Sequence, residues 1–235
     1  MKPVSHALLW VLTASLSVIA AVRGDGYPPS GFVDLVEIDA SIQVDLRYLG
    51  RDNFLGRPVV GYQANRLIVS EAAGRALARV QAELQPMGLG LLVYDAYRPQ
   101  QAVDHFVRWA QDLDDQATKS EYYPDVGKDK LFEEGYIAAR SGHTRGGTVD
   151  LTLVDIQSGQ TLDMGTPWDF FGPESWPAFA DLLPQQRANR LLLRALMLRH
   201  GFRPLEQEWW HFTLEDEPFP DTYFNFPIRA STATP

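Results

Sequence analysis

Two histidines stand in company that packing alone does not explain. His143 lies in Ser141-Gly142-His143-Thr144-Arg145-Gly146-Gly147-Thr148-Val149-Asp150, and His211 closes Glu208-Trp209-Trp210-His211. Asp150 falls inside an otherwise apolar, alternating run, where an ionised carboxylate is costly unless a cation pairs with it. A metal ion or an arginine would serve. The Gly146-Gly147 pair lets the backbone turn, so that His143 can return beside Asp150. Two imidazoles and one carboxylate make three protein ligands, and a divalent ion held by three keeps a position open for water. Glu208 would then be a nearby carboxylate able to take a proton from that water. A cation for the developing oxyanion completes amide hydrolysis. Arg98, in Tyr94-Asp95-Ala96-Tyr97-Arg98-Pro99, is the candidate, with an ordinary salt bridge to Asp95 as its plainer role.

Each segment has a bland reading too. The first could be a surface loop followed by a strand aspartate bonded to arginine. The second could be an aromatic core strand. Residues three apart face opposite sides of a regular strand. Glu208 and His211 therefore share a site only if the strand twists, bulges or begins at Glu208. The same ligand types also hold non-haem iron. Such iron sites usually set the first His and the acid two residues apart rather than seven, and have no need of Glu208. The remaining histidines are His6, in the leader, and His105 and His200, on expected helices where packing or surface roles suffice.

The elements that must hold these residues follow from periodicity. Residues 32–47 contain Ile42, Val44 and Leu46 in alternation and predict a strand. Residues 50–63, rich in Gly, Asn and Pro, predict a loop. Ser70 is placed to cap a helix over 71–85, with Ala73, Leu77, Val80 and Leu84 on one face. A short strand is expected over 91–94. A helix starting at Pro99 carries Val103, Phe106, Ala110 and Leu113. Residues 114–135 predict a long loop. Thr148 to Leu153 alternates as a strand. A third helix fits 185–200, closed by Gly201. The last aromatic segment runs from Glu208 to Thr213. Without a regular βαβ rhythm, this order predicts a single α+β domain with a mainly antiparallel sheet flanked by helices. No glycine-rich phosphate loop is present.

Composition bounds the rest. The chain has 235 residues, 45% of them hydrophobic, with a formal charge of -9. A core of useful size is available, and the acidic balance argues against nucleic acid as a partner. Lys2, the apolar run from Ala7 to Val22 and the small residues Ala20, Ala21 and Gly24 form a signal-peptide pattern, with an uncleaved anchor as the alternative. The run is shorter than a membrane-spanning helix requires. Residues 1–24 are thus expected to be a signal peptide, 25–31 a linker, 32–229 the catalytic domain and 230–235 a tail. Export, to a periplasm, with no stable membrane insertion after signal removal, is the corresponding expectation. With no cysteine, any metal must be held by His and carboxylates.

In combination and order, the segments at 95–99, 141–150 and 208–211 resemble those of D-alanyl-D-alanine dipeptidases, zinc peptidases related to D,D-carboxypeptidases and hedgehog-type zinc domains. The resemblance spans about residues 34–229, including 122–137 and the tail 218–227. It implies a hedgehog/D,D-peptidase-like fold, Zn2+ bound by His143, Asp150 and His211, and Glu208 as general base and acid. It further implies Arg98 as stabiliser of the tetrahedral intermediate, and Ser141, Asp95 and Tyr48 as substrate-pocket residues. Gly142 and Thr148 depart from the family's usual Ser and Ala without touching an implied ligand. The implied substrate is a small D,D-dipeptide, D-Ala-D-Ala. The alternatives are D,D-carboxypeptidase action on peptidoglycan precursor peptides and a non-catalytic zinc-binding module, the latter opposed by the presence of Glu208 and Arg98.

Overall fold

The computed structural model describes residues 27–230; the expected signal peptide and most of the tail lie outside them. Among the described residues, seven strands and five helices form one α+β unit. They are β1 (Phe32–Asp34), α1 (Leu35–Ile38), β2 (Gln43–Val44), β3 (Ile68–Ser70), α2 (Glu71–Leu84) and β4 (Leu89–Asp95). Then follow α3 (Gln100–Gln111), α4 (Lys119–Tyr122), β5 (Thr148–Asp155), α5 (Pro184–Arg199), β6 (Phe202–Pro204) and β7 (His211–Leu214). The main sheet has the order β2-β4-β5-β7-β6. Only the β2–β4 pair is parallel. β1 and β3 form a separate antiparallel pair. Among the described residues no helix is long and apolar enough to cross a membrane.

β5 is the central rail. Val149, Leu151 and Leu153 are fully buried, and Thr148, Asp150 and Thr152 on the alternate positions are buried as well. A strand covered on both faces is a rigid mount, and its fully buried charged residue, Asp150, must be neutralised from within the protein. Helix α2 packs against β4, and α5 against β5 and β6. Helix α2 begins where Ser70 Oγ accepts a hydrogen bond from the Ala73 amide, and it buries Ala73, Leu77, Val80 and Leu84 as its periodicity requires. Ser70→Ala should lower stability by about 1 kcal/mol, read as a shift of the urea midpoint at constant slope.

Three expectations need correction. Residues 32–47 are not one strand: Asp34 caps the short helix α1 by accepting from the Val36 amide, which breaks the run into β1, α1 and β2. Ile42 and Leu46, which flank β2, are buried all the same. The 114–135 loop contains α4 and a 3-10 turn at 128–130. Its Lys128 side chain is buried, donating to the Asp112 and Asp115 carbonyls. Leu113, assigned to the apolar stripe of α3, lies past the end of that helix and is exposed. The described part of the linker is packed rather than free, for the Tyr27 hydroxyl accepts from the Arg229 amide.

Candidate active site

Three adjacent strands and one turn deliver the site. Asp150 on β5 is paired directly with His211 at the start of β7. On its other side Asp150 faces Asp95 of β4, just past a register shift between Val93 and Asp95. His143 arrives from a 3-10 turn, 142–145, which Ser141 caps by accepting from the His143 amide. Gly146 ends that turn with φ +82°, and a Cβ there would lie 2.3 Å from the Phe32 ring. Left-handed backbone at close approach explains why glycine stands at this corner.

The result is a tight cluster. His143 Nε2 is 3.3 Å from Asp150 Oδ1 and 3.3 Å from His211 Nδ1. His211 Nδ1 is 3.1 Å from Asp150 Oδ1 and 3.4 Å from Glu208 Oε2. One ligand atom from each of His143, Asp150 and His211 lies within 4.8 Å of the others. A divalent ion fits this set on two observations. His143 Nδ1 donates to the Ala96 carbonyl at 2.7 Å, which fixes the tautomer and leaves Nε2 as a lone pair facing the cluster. Asp150 Oδ1 is buried and has no hydrogen-bond partner, a costly arrangement that coordination would relieve.

Electrostatics agree. Burial works to raise Asp150, but the His143 and His211 imidazoles outweigh it and hold the carboxyl well below the usual range. Burial works to lower His211, and the Asp150 and Glu208 carboxylates override it, pushing the imidazole up to about 9. The cluster is thus arranged for positive charge, which protons or a metal ion can supply.

Glu208 reaches the cluster by a route the strand geometry left open. β7 starts only at His211, so Glu208 lies in the turn before it, and the His211 amide donates back to the Glu208 carbonyl. That turn is anchored on both sides. The Trp209 amide donates to Ser175 O, its indole to Thr166 Oγ1, and the Leu151 amide of β5 donates to Trp210 O.

Arg98 makes the salt bridge to Asp95 considered for it and reaches Asp150 as well. Its Nε and Nη2 donate to Asp95 Oδ2 at 2.9 and 2.8 Å, and Nη2 lies 3.4 Å from Asp150 Oδ2. The side chain also forms part of the cleft wall. Arg98→Met should leave Asp95 and Asp150 buried without their cation and cost about 3–5 kcal/mol, measured by denaturant unfolding.

A cleft of about 240 Å³ opens over the cluster, lined by Tyr48, Arg98, Ser141 and Glu208 among others. Asp95 does not reach it. That residue is fully buried behind Arg98 and accepts the Tyr62 hydroxyl at 2.6 Å, so it supports rather than lines the pocket. Tyr48 is buried in the wall and its hydroxyl donates to Asp169 Oδ2 at 2.8 Å. Asp169 escaped sequence reasoning. Burial, and then the Asp150 charge, raise its carboxyl well above the normal range. It is the one non-glycine residue with positive φ, +61°, among the described residues. The available signal was an acid set in the aromatic run Trp168-Asp169-Phe170-Phe171.

An α+β domain with a His–Asp–His centre, a glutamate at its edge and a small cleft above is the outline of a metal-dependent hydrolase. The model of the D-ala-D-ala dipeptidase family matches residues 29–229. The D-alanyl-D-alanine dipeptidase of Streptomyces coelicolor is 47% identical, over 84% of this chain and 96% of its own. That of Enterococcus faecalis is 42% identical over 85% and 98%, and that of Escherichia coli 37% over 77% and 83%. Among solved structures, a vancomycin-resistance D,D-pentapeptidase in complex with Zn(II) aligns at TM-score 0.40 and 13% identity, over 66% of this chain and 76% of that one. The chain belongs to the D-Ala-D-Ala dipeptidase family, a family of zinc metallopeptidases.

Proposed function

We propose that this protein hydrolyses free D-Ala-D-Ala to two D-alanines, with His143, Asp150 and His211 as zinc ligands, Glu208 as general base and acid, and Arg98 as oxyanion partner. The convergence of the three ligand atoms beside Glu208 carries the reading. His143, Asp150 and His211 would hold the zinc, which when bound would supply a Lewis acid and make water a better nucleophile. Glu208 takes the proton of the attacking water and returns it to the leaving amine. Arg98, fixed by Asp95, offers its remaining donors to the carbonyl oxygen as charge develops there. The Asp169 carboxyl and the Tyr48 hydroxyl bound to it give the substrate ammonium a polar partner within the wall. A small cleft favours a dipeptide over a longer wall peptide.

The test is release of D-alanine from D-Ala-D-Ala, with and without a chelator, beside a muramyl pentapeptide ending in D-Ala-D-Ala. Chelator-sensitive turnover of the dipeptide, well above that of the pentapeptide, is expected. Preference for the pentapeptide would make the protein a D,D-carboxypeptidase instead. Export is part of the proposal and rests on the signal-peptide pattern at 1–24. A reporter fused after residue 30 that stayed in the cytoplasm would overturn that part.

A further inference from the structure

Three arginines surround the turn that carries His143, and two of them are committed. Arg98 is bound to Asp95 and Asp150. Arg145 donates through Nε and Nη2 to Glu217 at 2.8 and 2.7 Å. Arg140 is different. It lines the same cleft as Glu208 and His211, and it is exposed. Its guanidinium rests over the Tyr223 ring at 5.1 Å, and among the described residues no carboxylate forms an ion pair with it. The segment is held in place because Gln100 Nε2, at the start of α3, donates to the Ala139 carbonyl.

The charge balance of the cleft gives this arginine a purpose. Its acids are Asp150, Asp169 and Glu208, and beside the two imidazoles of the cluster its cations are Arg98 and Arg140. The first cation is neutralised inside the protein; the second is not. A free dipeptide brings one carboxylate into the cleft, and that group needs a cation or hydrogen-bond donors as it loses water. We infer that Arg140 is the substrate-binding residue for the free C-terminal carboxylate. Ser141 assists: its Oγ already accepts the His143 amide, which leaves its own O–H to donate to the same carboxylate. This assignment deepens the dipeptidase reading and rests on it. Its content is that the enzyme requires a free carboxyl end, and that one exposed arginine enforces the requirement.

The experiment compares D-Ala-D-Ala with its C-terminal amide on the wild type, Arg140→Gln and Arg140→Lys, with zinc content and melting temperature measured alongside. The wild type should favour the free acid. Arg140→Gln should lose roughly tenfold or more in kcat/KM on the acid, mostly through KM, while the amide changes little and zinc content and melting temperature are unchanged. Arg140→Lys should recover part of the loss, since a point charge attracts a carboxylate without the bidentate fork. Equal effects on acid and amide, or no effect on either, would overturn the assignment. A wild type that cleaves D-Ala-D-Ala without preferring it to the amide would do so as well. A wild type that cleaves neither compound would instead remove the dipeptidase reading beneath it, and that outcome is recognised before any variant is made.

Discussion

Glu208→Gln should keep its zinc and lose turnover by about 10²- to 10⁴-fold, the range over which a positioned proton carrier contributes. The amide preserves shape and fills the same turn, so the substitution isolates the proton. Glu208 is not one of the three clustered ligand residues, but its Oε2 lies 3.4 Å from His211 Nδ1. Metal analysis of the purified variant should therefore give the wild-type zinc content, and kcat should fall far more than KM rises. If turnover persisted near the wild-type rate, another group would have to carry the proton. If zinc were lost as well, Glu208 would be a fourth ligand.

The second large effect belongs to His143. His143→Ala removes a proposed ligand and also breaks the hydrogen bond from its Nδ1 to Ala96 O, so the turn at 142–145 loses one of its ties to the segment after β4. Metal binding should be abolished and activity with it. Stability should respond in a diagnostic way. An ion that binds only the folded state adds about 2.7 kcal/mol when present at a hundred times its dissociation constant. The wild type should accordingly melt about 5–10 °C higher with zinc than with chelator, while His143→Ala should melt at the same temperature in both. A zinc-dependent rise in the variant would show that Asp150 and His211 hold the ion without it.

Much of this centre was legible before the fold was known, and the reason is local. Ser141 to Asp150 and Glu208 to His211 each contain residues whose chemistry conflicts with their apolar surroundings, and such conflicts mark sites. Helices α2, α3 and α5 were readable because each is long enough for its periodicity to repeat. Residues 32–47 misled because two short strands and a helical turn share one alternating pattern, and only the Asp34 cap separates them. Glu208 was legible as a residue and not as a position, since the boundary of β7 decides which way it points. Asp169 and Arg140 had no spacing to betray them. Their roles come from a cleft wall assembled out of segments distant in the chain. Asp95 shows the converse: its segment pointed to the site, yet only the packed structure reveals that it stands behind Arg98.

The anchoring of the Glu208 turn separates two properties that are often lost together. Asp150 and His211 belong to neighbouring strands, whereas Glu208 is aimed by tethers from Trp209 to Ser175 and Thr166, on a loop that the buried Arg190 grips through the Met164, Glu174 and Trp176 carbonyls. On the proposed mechanism, substitutions in that loop would change the aim of Glu208, and with it proton delivery, without touching the His143, Asp150 and His211 ligand atoms.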